Sequence, residues 1–207
     1  MQVKQNTDNN QQKGMIKALI DKLSDKDLVA LSEERNFNIL PNKKKVTFKS
    51  LGEEITLDLE SLSVDRDLPL FHYSLILQYL LSEDIGTIDN TWISISDTEP
   101  GDVARGANFD RQVRDIIASG FTGKTGKDIK TALLSLDASL QPKEKADISA
   151  IVYLFPKYPL LINLWLSDEE FPASGKVLIN GGTRNALSLE ATGTVAEMTA
   201  EKLASII

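Results

Sequence analysis

ISAIVYLFPKYPLLINLWLSDEEFPASGKVLIN, residues 148–180, is the stretch on which the reading of the fold turns. Three apolar, β-rich runs, residues 148–155, 160–166 and 176–179, are separated by the turn Pro156-Lys157-Tyr158-Pro159 and by the acidic segment 167–174. Runs this apolar predict central strands of a sheet that does not face water on either side and is covered by helices.

Working outward, the chain on both sides supplies helices and a hairpin. Met15, Ile16, Leu19, Ile20 and Leu23 line one face of an amphipathic helix. Ser24 is the expected cap of a second helix through Leu28, Leu31 and Arg35. From Phe37 the period changes to two: Val46 and Phe48, then Ile55, Leu57 and Leu59, predict a hairpin around Ser50-Leu51-Gly52-Glu53. Residues 69–82 are apolar nearly all round and predict a buried helix opened by Pro69. Residues 91–96 form a short expected strand carrying Trp92, and Pro100-Gly101 with Gly106 predicts a loop before a helix on Phe109, Val113, Ile116 and Ile117. A helix is expected over 125–140, closed by Pro142. Gly181-Gly182 reads as a turn, and Thr194 with Glu197 as the capping box of a final helix. The fold class is therefore α+β, a mostly antiparallel sheet covered by helices, with residues 1–13 a disordered lead-in and 14–207 a single domain.

Composition excludes several chemistries. The 207 residues contain no cysteine, so disulfides, thiolate zinc sites and iron–sulfur ligation by this chain are ruled out. A net charge of −7 argues against nucleic acid as a partner, which needs a basic face. No apolar run reaches the roughly 20 residues of a membrane span, and the polar start is no secretory signal, so the expected location is the cytoplasm. His72, the sole histidine, is expected to be buried on its apolar helix.

The candidate contact residues cluster late in the chain. Asp168, Glu169 and Glu170 follow the second central run; by strand alternation Asp168 and Glu170 point together and form the candidate divalent-metal pair. Trp92 and Trp165, on two strands, and Arg184 complete the set of candidate ligand-binding residues. Ala118–Thr125, ASGFTGKT, fits a relaxed phosphate-loop pattern, but the residues before it are spaced as a helix rather than a strand.

Tyr79-Leu80-Leu81, Thr91-Trp92-Ile93-Ser94, Phe155-Pro156-Lys157-Tyr158-Pro159-Leu160-Leu161, Leu164-Trp165 and Asp168-Glu169-Glu170-Phe171-Pro172 together resemble domain-of-unknown-function family 3786, a set of prokaryotic proteins, over roughly Leu28 to the C-terminus. The resemblance implies an accessory protein of anaerobes, some members being joined to a cysteine-rich iron–sulfur domain or encoded near corrinoid-dependent one-carbon enzymes. It implies no activity. It does imply that Trp165 and residues 168–172 form one feature, with Trp92 beside it. The leading expectation is thus a non-catalytic binding or accessory module with a protein partner such as an enzyme complex. A second is a small-molecule enzyme holding a divalent ion at Asp168 and Glu170, and a third is a nucleotide hydrolase using Lys124 and Thr125. No particular cofactor follows from the residues.

Overall fold

The computed structural model describes residues 2–99, 101–142 and 146–207, with side chains from residue 10 onward. It is α+β, with a three-stranded and a five-stranded sheet, both antiparallel. The chain divides into two compact units, residues 1–48 with 54–85, and residues 49–53 with 86–207.

In the first unit, α1 (Gln2–Leu23) packs on α3 (Leu70–Leu81). α1 takes in the polar segment expected as a disordered lead-in, of which Met1 lies outside the described residues. That segment has no proline and no glycine before Gly14, and glutamine and lysine are good helix formers, so the amphipathic helix at 15–23 extends towards the N-terminus. α2 (Leu28–Glu34) is capped by Asp27, whose carboxylate accepts from the N–H groups of Val29 and Ala30, not by Ser24. The Ser24 hydroxyl instead donates back to the Asp21 carbonyl.

β1 (Asn38–Ile39), β2 (Lys45–Ser50) and β3 (Glu53–Asp58) form the three-stranded sheet. The two residues at the tip of the β2–β3 hairpin, Leu51 and Gly52, have φ of 47° and 80°. Two successive positive values match the twist of the flanking strands. Phe37 stacks on Phe48 at 4.1 Å, with Tyr79 of α3 6.2 Å from Phe37.

The second unit holds the five-stranded sheet, in the order β4 (Trp92–Ile93), β8 (Ser174–Asn180), β7 (Tyr158–Trp165), β6 (Ile148–Phe155), β5 (Ser139–Gln141). The three apolar runs are its three central strands, as their composition predicts. One face, built by Ile148, Ala150 and Val152 of β6, Leu160, Ile162 and Leu164 of β7, and Val177 and Ile179 of β8, is buried. α4 (Val103–Phe121) and α6 (Leu189–Ile206) pack on this unit's sheet. At Gly175 a β-carbon would come within 2.7 Å of Ile117, which places α4 on the buried face. Tyr158, fully buried, points its hydroxyl at Thr192 of α6, 3.2 Å away, and burial pushes that phenol up to about 12.

Helices cover this sheet as expected, but the expectation that it faces water on neither side holds in full for one face only. The opposite face carries Ile151, Leu161, Asn163, Trp165, Ser174 and Leu178, all half-buried, with Ser149 buried and Tyr153 and Lys176 exposed. The reason lies in the register: Ser149, Asn163 and Lys176 interrupt the apolar runs at positions that pair across β6, β7 and β8, so this face alternates apolar and polar rows.

Four boundaries also differ from expectation. α4 begins at Val103, so Gly106 is helical rather than in a loop; Pro100 of the expected turn lies outside the described residues. Gly106 is needed because a β-carbon there would sit 2.5 Å from the Ser96 Cα. β4 is only two residues long, because a short 3-10 helix at Ile95–Asp97 follows, its first N–H groups held by the Asp110 carboxylate at 3.2 Å. The helix expected over 125–140 stops at Ser135: α5 (Gly126–Ser135) is followed by Asp137 at φ 56° and by β5, which pairs with β6. The last helix starts at Leu189 with Ser188 as its cap, so Thr194 lies inside it, its hydroxyl donating to the Glu190 carbonyl.

Glu197, the other half of that expected capping box, has its Oε1 buried with no hydrogen-bond partner. Burial, reinforced by Glu201 one turn on, holds its carboxyl above the usual range. The native state therefore binds this proton more tightly than the unfolded chain does. The associated stability is fully present below the unfolded value of about 4.3 and is lost as pH rises through the native one. Glu197→Gln raises the thermal midpoint at pH 7 and leaves it nearly unchanged at pH 4; equal midpoints for variant and wild type at pH 7 would refute this.

Candidate functional site

β7 ends at Trp165, and the acidic segment beyond it is a turn rather than a strand continuation. The expected alternation of Asp168 and Glu170 therefore does not apply. Asp168 Oδ1 accepts the backbone N–H groups of Glu170 at 2.9 Å and Phe171 at 2.8 Å, while its own N–H donates to the Phe171 carbonyl at 3.0 Å. These two N–H donors hold the Asp168 carboxyl below the usual carboxylate range. Glu169 and Glu170 are exposed, and Phe171 is 66% exposed.

The turn is anchored on both sides by neighbours in the same unit. The Gly123 N–H donates to Ser167 Oγ at 3.0 Å, the Ala173 N–H to Thr122 Oγ1 at 3.0 Å, and the Leu166 N–H to the Asp147 carboxylate at 2.9 Å. Asn163 and Ser149, a direct cross-strand pair on the open face, are joined by a 2.7 Å hydrogen bond.

Trp92 and Arg184 lie elsewhere. Trp92 pairs with Asn180 at the far end of β8, whereas Trp165 pairs with Ser174 at its start. Six residues of strand separate these pairs, about 20 Å. Both pairs share a parity along β8, so the two tryptophans occupy the same open face at opposite ends. Arg184 belongs to the short 3-10 helix Gly181–Ala186, where its charge lies near Asp89. The Asp89 carboxyl is held below its usual range first by the Thr91 hydroxyl and backbone N–H.

Asn180 organises that end. Its Nδ2 donates to the carbonyls of Asp89 at 2.8 Å and Thr91 at 3.3 Å, and its Oδ1 accepts from the N–H groups of Asp89 at 3.1 Å and Gly182 at 3.2 Å. The six candidate residues thus fall into two groups: Trp165, Asp168, Glu169 and Glu170 at one end of β8, Trp92 and Arg184 at the other. Between them lie the row Ile151, Leu161 and Leu178 and the row Ser149, Asn163 and Lys176, none of them among the six candidates. Their signal is the three polar residues recurring inside otherwise apolar strands.

The segment ASGFTGKT connects α4 to α5, with a helix before it as the spacing predicts. Thr125 caps α5 and shares a reciprocal capping box with Asp128, its hydroxyl donating to that carboxylate at 2.6 Å; Lys124 Nζ donates to the Ile207 carbonyl at 3.0 Å. His72 is buried on α3. Among the described residues, no group of three or more histidine, aspartate or glutamate side chains is placed to hold a metal ion, and no helix is long and apolar enough to cross a membrane.

No curated protein matches the chain, and no solved structure does. The residues that carry the resemblance read in the sequence, from Tyr79 to Pro172, all fall inside a family match that spans residues 27–202, most of the chain. The chain belongs to the family described as Domain of unknown function (DUF3786).

Proposed function

We propose that this protein is a non-catalytic binding or accessory module whose contact surface is the open face of the five-stranded sheet with the Phe171 turn at its edge. The observation that carries the reading is the placement of both tryptophans of the chain, half-buried, on that one face. Tryptophan and tyrosine dominate the energetics of protein contacts, and Tyr153 of β6 is 40% exposed. Phe171 adds an apolar group on a turn whose shape its own hydrogen bonds hold, so little ordering cost attends its burial by a partner. The family resemblance points to an enzyme complex as that partner.

The test is quantitative recovery of a partner from native lysate. Wild type retains a specific protein, whereas Phe171→Ala and Lys176→Glu, both at exposed positions, each weaken retention tenfold or more. Their unfolding free energies stay within about 0.5 kcal/mol of wild type. A partner retained equally by all three proteins would overturn the assignment of this surface.

A further inference from the structure

We draw no further inference here: the strongest candidate, the polar row Ser149, Asn163 and Lys176 across the open face of the five-stranded sheet, belongs to the surface already described, and nothing in the structure shows what covers it.

Discussion

Gly182→Ala lowers the unfolding free energy by about 3 kcal/mol or more, the upper end of what overpacking costs. A β-carbon on Gly182 would lie 1.9 Å from the Thr87 carbonyl oxygen and 3.1 Å from the Asp89 carboxylate. Both obstacles are held in place: the Thr87 N–H donates to the Gly182 carbonyl at 3.1 Å, and Asp89 is tied to Asn180 and Thr91. The approach is equally close from the other side, where a β-carbon on Gly86, at φ 64°, would meet the Gly182 oxygen at 1.9 Å. Relief requires the segments 86–91 and 180–184 to separate, which breaks the hydrogen bonds of the buried Asn180. Because Trp92 pairs with Asn180, its fluorescence reports the same disturbance. Gly101→Ala, where nothing lies within 4 Å, is the control and stays within about 0.5 kcal/mol. Urea titrations measure both. A Gly182→Ala midpoint matching the control would show that the two segments do not cross this closely.

Arg35→Ala costs about 3–5 kcal/mol, the sum of the space left by a large buried side chain and of carbonyls left without its donors at about 1–3 kcal/mol each. The Arg35 side chain is 2% exposed, and its guanidinium is shared among backbone carbonyls. Nε donates to Tyr79 at 3.2 Å, Nη1 to Leu31 at 3.2 Å, and Nη2 to Ser82. Tyr79 and Ser82 lie at the C-terminal end of α3, where the Tyr79 carbonyl otherwise takes a long 3.4 Å bond from the Ser82 N–H, so Arg35, itself the C-cap of α2, caps α3 as well. Arg35→Lys restores only part of the loss, because an ammonium lacks the planar fork that reaches several carbonyls at once. Glu34→Gln, removing the 65% exposed partner of the 2.7 Å ion pair, changes stability by less than about 1 kcal/mol. A Glu34→Gln effect as large as that of Arg35→Ala would show that the ion pair, rather than the capping, is what α3 needs. Equilibrium unfolding of the intact chain measures all three variants.

Several elements were legible because local chemistry decides them. The all-apolar α3 and the period-two hairpin declare themselves within a few residues, as do the three central strands. The acidic, aromatic character of residues 165–172 was also plain, although its geometry was not. Reading Asp168 and Glu170 as a converging pair assumed strand alternation, and the Asp168 carboxylate turns back onto the N–H groups of Glu170 and Phe171 instead. A carboxylate that can close a turn on its own backbone competes with any extended conformation.

The division between the two levels follows from the range of the forces involved. By itself the sequence determined the α+β class, the position of the core strands, the absence of any cysteine chemistry and the family. Tertiary structure decided which rows of β6, β7 and β8 face water, since a shift of one residue in register would exchange the buried and open faces. It also decided that Trp92 and Trp165 share one face while standing about 20 Å apart along β8. The helix expected over 125–140 gives way to β5 at its end because pairing with β6, a contact across the sequence, outweighs the local helical pattern. Hydrophobic periodicity is written into neighbouring residues, but register, close backbone crossings and the placement of a contact face exist only between segments distant in the chain.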